Sequence, residues 1–267
     1  MPRLGAALVL LVVLVAVVVP FLSPYDPALQ LLPDRLAPPS LAHPLGLDEL
    51  GRDMLVRIAI GARLSLAVGL SVVAVSASVG TWVGAVAGYR GGWVDQILSR
   101  VMDVLLAFPG LLLAIALVAM LGPGLWHVWL ALVSIGWVGY ARLVRGLVLK
   151  LRELDYVHAS RALGASRWWI VRQHLVPAVL PAVLVQATTG MAGVMLSEAS
   201  LSFLGLGVQP PVPSWGTMLS GGRAHILDAP HVTIVPGLAI ALLVLGLNLL
   251  GDVWHGRLDP RTRRRTA

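Results

Sequence analysis

Six runs of apolar residues, each close to the ~20 residues a helix needs to cross hydrocarbon, dominate this chain and leave little room for any other fold. They lie at approximately 4–22, 64–88, 104–121, 126–148, 179–204 and 232–253. A backbone in lipid must satisfy its own hydrogen bonds, so each run is expected to be a helix. The alternating pattern of a transmembrane barrel is absent. Composition agrees: 57% of the 267 residues are hydrophobic and 12% are charged, about half the charged fraction of a soluble domain. The expected fold is an all-α polytopic membrane protein with six transmembrane helices. The first run is read as a retained anchor rather than a signal peptide. Its core is long, and VVVPFLSPYDP makes a poor cleavage site.

Orientation follows from where arginine and lysine fall. If the N-terminus is cytoplasmic, the inner segments hold 15 of the 20 basic residues, against Arg35, Arg52, Arg57, Arg63 and Arg223 outside. Both termini are therefore expected in the cytoplasm. The net charge of +7 belongs to that inner face, and no nucleic-acid partner is expected. The chain has no cysteine, which excludes disulfides, thiolate catalysis and cysteine metal sites. His225 and His231 are off the i, i+4 spacing of a helical metal pair. No metal site or cofactor is expected.

The longest cationic stretch between apolar runs is DYVHASRALGASRWWIVRQHLVP, from Asp155 to Pro177. Asp155 can cap a short helix and Gly164 can end it. Ser166 can cap a second helix, which Pro177 terminates or bends. Trp168, Val171 and Leu175 fall at i, i+3, i+7 and make one apolar stripe. The expectation is a helix–turn–helix elbow between the fourth and fifth spans. Its residues alone leave two occupants open: a partner protein, or anionic lipid headgroups met by interfacial tryptophans.

The segment from Asp155 onward resembles the EAA loop of ABC importer permeases, an E-A-A-x-x-x-G pattern followed by a leucine–proline pair. Ala159, Gly164 and Pro177 match; His158 stands where the family often has glutamate, and Ser160 where it has alanine. Three further stretches, His43–Leu66, Gly88–Ile115 and Ser197–Leu219, resemble blocks of the dipeptide, oligopeptide and nickel permeases. The ending NLLGDVWHGRLDPR resembles that family's C-terminal signature. The resemblance is nearest to the shorter, C-type subunit of the permease pair.

That resemblance implies a type I importer permease core, a prokaryotic inner (cytoplasmic) membrane location and a translocation path for peptides or related small solutes, nickel complexes among them. It implies as partners a homologous permease, two ATP-binding subunits and an extracytoplasmic solute-binding protein. It assigns docking to the ATP-binding subunit to the elbow at 150–177, on His158, Ala159, Ser160, Leu163, Gly164, Ala165, Ser166 and Trp168. The corresponding division is an N-terminal anchor and extracytoplasmic segment at 1–60, a permease domain at 61–256 and a basic tail at 257–267.

No Walker A loop is present; the lone lysine, Lys150, sits in LVLKLREL without a glycine-rich approach. The chain is expected not to be an enzyme, with ATP hydrolysed on another polypeptide. The competing function is an ion- or proton-coupled secondary transporter, a class marked by inverted repeats and charged, broken helices. Here Glu198 in MLSEASLSF is the single suspect. Glu198 and Ser202 are candidate path residues; the alternative for Glu198 is local capping or a wet interfacial position. Asp95, Asp103 and Asp252 are read as structural, the first two pairing with Arg100 or the elbow arginines. Asp48, Glu49, Arg52 and Asp53 are read mainly as a salt-bridged turn that sets the second helix.

Overall fold

In the computed structural model, which describes residues 2–258, the chain is helical. The helices are α1 (Pro2–Leu22), α2 (Met54–Arg90), α3 (Gly92–Leu106), α4 (Gly110–Leu121), α5 (Leu125–Leu151), α6 (Asp155–Ala162), α7 (Arg167–Ile170), α8 (Val176–Phe203), α9 (Trp215–Gly222) and α10 (His231–Leu258). A π-turn, Val171–Leu175, joins α7 to α8. Among the described residues, five helices are long and apolar enough to span a membrane, and six if a bent pair is one span. Of the basic tail, residues 259–267 lie outside the described residues.

Three boundaries differ from expectation, each for a local reason. The second span begins at Met54 rather than 64, because its flanking charges are absorbed. Asp53 Oδ1 accepts the Val56 N–H at 2.9 Å and so caps the helix. Arg57 donates to the Pro27 carbonyl at 3.0 Å. Arg63 donates to the carbonyls of Ala16 and Val17 at 2.5 and 3.1 Å. Pro20 lies inside α1, and having no N–H it cannot serve the Ala16 carbonyl four residues back. Arg63 supplies the missing donor.

The third span, expected as one run over 104–121, is broken. Helices α3 and α4 meet at 85°. Pro109 cannot donate to the α3 ladder and disfavours helical geometry at Phe108, so α3 ends with Ala107 as its C-cap. At 12 residues, α4 is about 18 Å long, too short to cross alone. The fifth span shows the opposite change. Pro177 does not end the helix after the elbow: Arg167–Phe203 is one continuous span. The Val176 N–H donates to the Val171 carbonyl, five residues back. That wider turn makes room for the proline ring.

The described chain divides into two compact units. One comprises the chain up to Leu70, Ile115–Leu130 and Met191–Leu250; the other comprises Ser71–Ala114, Ala131–Gly190 and the chain from Gly251 onward. The first unit has a buried core of Val12, Ala16, Met54, Ile58, Met195, Trp215, Met218, Leu243 and others. Trp215 Nε1 donates to the Ile58 carbonyl at 3.0 Å. Its salt-bridged turn centres on Asp48, which accepts from the backbone of Leu50 and Arg52 and from Arg52 Nε at 2.7 Å. Arg57 lies 3.1 Å from the same carboxylate.

In the second unit, Met102, Val138 and Ala141 form a small core beside a stripe of glycines. Gly80, Gly84 and Gly88 recur every four residues on α2. A Cβ on them would strike, respectively, Trp137 and Tyr140, Ala141, and Arg145 and Val148 of α5. Small residues at this spacing let two membrane helices bring their backbones together.

Gly84→Ala should therefore overpack the α2–α5 contact and cost about 1–3 kcal/mol. At Gly139 an added Cβ meets nothing within 4 Å, and Gly139→Ala should be neutral. Thermal denaturation of the two purified variants in detergent compares them.

Candidate functional site

The elbow sits in the second unit. Helix α6 starts at Asp155 with Leu154 as its N-cap, and no side chain caps it; Asp155 is the first helical residue rather than the cap. The helix stops at Leu163 and Gly164. Gly164 has φ +83°, a left-handed geometry that glycine adopts without strain. Its N–H and that of Ala165 close the turn on the carbonyls of Arg161 and Ser160, both at 3.0 Å. Ser166 then caps α7, accepting the Trp169 N–H at 3.2 Å.

One face of this elbow is fully packed: Val157, Ile170 and Leu175 are 0% exposed, and Val171 3%. Trp168 departs from the expected stripe. It is 58% exposed and stacks on Trp82 of α2, ring centroids 5.0 Å apart, while Ile170 takes the buried place. Leu163 at the tip is 89% exposed. The outward residues His158, Ala159, Leu163, Gly164, Ser166 and Trp168 are thus all open to a partner, with Ala165 half-buried. Ser160 turns inward: its Oγ donates to the Tyr156 carbonyl at 2.8 Å and lies 3.2 Å from His174 Nε2. The His174 ring meets Tyr156 and Trp169 edge-on.

Two arginines tie the elbow region to the end of α2. Arg152 donates to the Gly88 carbonyl at 2.9 Å. Arg161 Nε donates to the Tyr89 hydroxyl at 3.1 Å, with the guanidinium over the Tyr89 ring. Asp95 and Asp103 pair neither with Arg100 nor with the elbow. Asp95 takes a bidentate fork from Arg145 of α5, at 2.5 and 2.7 Å, and Asp103 bonds Arg142 at 2.5 Å. Charges on α3 therefore brace it against α5. Sequence reasoning missed Tyr89, Arg152 and Arg161 as the braces of the elbow, and Arg145 as the partner of Asp95. It also missed the glycine stripe, whose G-x-x-x-G-x-x-x-G spacing was a readable signal.

The candidate path residues lie in the first unit. Glu198 and Ser202 are each 1% exposed. Glu198 Oε1 accepts from Ser202 Oγ at 2.8 Å and Oε2 from Ser65 Oγ at 3.0 Å. The carboxylate is neither wet nor a backbone cap: it locks α8 to α2 through a serine 133 residues away. Among the described residues, no three histidine or carboxylate groups converge to hold a metal.

With this geometry in view, the chain matches, over residues 80–264, the family model described as the binding-protein-dependent transport system inner membrane component. The chain belongs to this family. A second model, the N-terminal TM domain of oligopeptide transport permease C, matches residues 2–39 of the permease. The permease is 46% identical, over 96% of its length and 85% of the other, to a Pectobacterium atrosepticum protein named glutathione transport system permease protein GsiD. An Escherichia coli protein of the same name is 44% identical over 98% of the permease and 87% of its own length. The fold is that of the MetNI methionine ABC transporter in an inward-facing crystal form, with TM-score 0.59 and 19% identity over 74% of the permease and 95% of that chain. The permease is thus a multi-pass inner-membrane component of an ABC importer, and its family implies solute-binding and ATP-binding partners.

Glu198→Ala should leave the Ser65 and Ser202 hydroxyls buried without their acceptor, at about 1–3 kcal/mol. Glu198→Gln, which keeps one acceptor oxygen, should lose less. The order of their thermal midpoints below wild type checks this.

Proposed function

We propose that this permease pairs with a homologous permease to form the path of an importer for peptide-like solutes, and that a separate ATP-binding subunit grips its elbow. The observation that carries the docking half is the elbow's two-sidedness. Val157, Ile170 and Leu175 anchor one face completely, while Leu163, 89% exposed, stands at the tip of the other. A large apolar side chain held out on a braced turn fits a protein pocket. His158, Ala159, Gly164, Ser166 and Trp168 share that outward face, Ala165 flanks it, and Ser160 stiffens it from behind.

ATP is hydrolysed on the partner, since the chain offers no phosphate loop. Closure of the motor then pulls the elbow, and rigid-body movement of the attached helices alternates access to the path. Both termini face the cytoplasm in this arrangement. The anchor and its extracytoplasmic segment occupy 1–60, the transport domain 61–256 and the basic tail 257–267. Two relatives named for glutathione transport, at 46% and 44% identity, favour a small peptide such as glutathione as cargo, selected by the solute-binding protein. Ser202 and Glu198 act in this reading by holding α8 and α2 together beside the path.

Deleting Gly164–Trp169 should leave a membrane-inserted permease that no longer co-purifies with the ATP-binding subunit. Leu163→Asp should weaken the same co-purification at least about tenfold, since it puts a desolvated charge into the contact. Undiminished co-purification in both would place the docking surface elsewhere.

A further inference from the structure

A cavity of about 380 Å³ opens between the end of α2 and the elbow, lined by Tyr89, Arg90, Arg161, Ala165 and Arg167. Three guanidiniums converge there and no carboxylate is among the lining residues. Among the described residues, none of the three makes an ion pair with an acidic side chain. Three like charges gathered around one space repel each other, and an anion placed between them reverses the sign of that interaction. The remaining polar group is placed to help. Tyr89 is 8% exposed; its hydroxyl accepts from Arg161 Nε, so its own O–H stays free to donate. Arg161 spends one N–H on that bond and keeps its terminal nitrogens for a ligand.

We propose that this cavity binds the phosphate group of an anionic phospholipid. A fork of guanidiniums with a hydroxyl donor is the donor set phosphate oxygens take. The surroundings indicate a lipid rather than a dissolved anion. Trp93 of α3 and Trp169 of α7 are 72% and 47% exposed. Tryptophans of this kind sit at headgroup level, and α2 reaches Arg90 directly from an apolar span. A bound headgroup would cross-link Arg90 of α2 to Arg161 of α6 and Arg167 of α7, so that lipid composition sets how firmly the elbow is held. The binding itself does not depend on the ATPase docking proposed above; only the assignment to the cytoplasmic leaflet uses the same orientation.

The test is native mass spectrometry of the full permease, purified with its partner subunits and relipidated with phosphatidylglycerol or phosphatidylcholine. Wild type should retain phosphatidylglycerol preferentially. A cationic residue near an anionic membrane surface contributes roughly fivefold in affinity, so the triple variant Arg90→Gln/Arg161→Gln/Arg167→Gln should lose at least about tenfold of that preference. Arg167→Gln alone, at an exposed side chain, should lose part of it without disturbing the fold, and Arg100→Gln should lose none. An unchanged preference in the triple variant would overturn the proposal. So would an equal loss in Arg100→Gln, which would mean diffuse charge. Displacement of the lipid by excess inorganic phosphate would identify a site for free anions instead. Loss of the ATP-binding subunit with lipid retention intact would mean that an acidic protein surface fills the cavity.

Discussion

A peptide backbone inside hydrocarbon has no water to fall back on, and every proline in a span removes a donor that must be replaced or designed around. Much of the architecture reads as answers to that constraint. Pro20 in α1 leaves the Ala16 carbonyl to be met by Arg63. Pro109 ends α3, and the chain turns by 85° into α4. Pro177 is accommodated by a π-turn whose bond runs from Val176 back to Val171. In the first case a charged side chain supplies the donor that the proline lacks. In the last, the second helix of the elbow is made continuous with the fifth span.

The same constraint explains what the sequence disclosed and what it hid. Helix type, the number of apolar runs and the elbow with its Gly164 turn and Ser166 cap were legible, because hydrophobic length and local turn chemistry act over a few residues. The start of α2 was not. Arg57 and Arg63 look like loop residues until their partners, Asp48, the Pro27 carbonyl and the α1 carbonyls, come from elsewhere in the chain. The break at Pro109 was hidden by a run that stays apolar across it. The inward turn of Ile170 in place of Trp168 depends on Trp82, which is far away in sequence.

The candidate residues divide along the same line. His158, Ala159, Leu163 and Gly164 could be marked from spacing and resemblance, and the structure leaves them on an open face. Glu198 could be marked as unusual, but not interpreted. Its meaning lies in Ser65, and nothing local to α8 announces a hydroxyl arriving from α2. Buried carboxylates in spans attract functional readings. Here two hydrogen bonds, from Ser202 and Ser65, make the group part of the scaffold as well.

The arginine braces have a mechanical consequence. Arg152 holds the Gly88 carbonyl and Arg161 holds Tyr89, so the segment between α5 and α7 is stitched to α2 as well as running on into α8. A load applied at the Leu163 tip would therefore be shared between two spans, and the corner would pivot as a block unless the bond to the tyrosine broke.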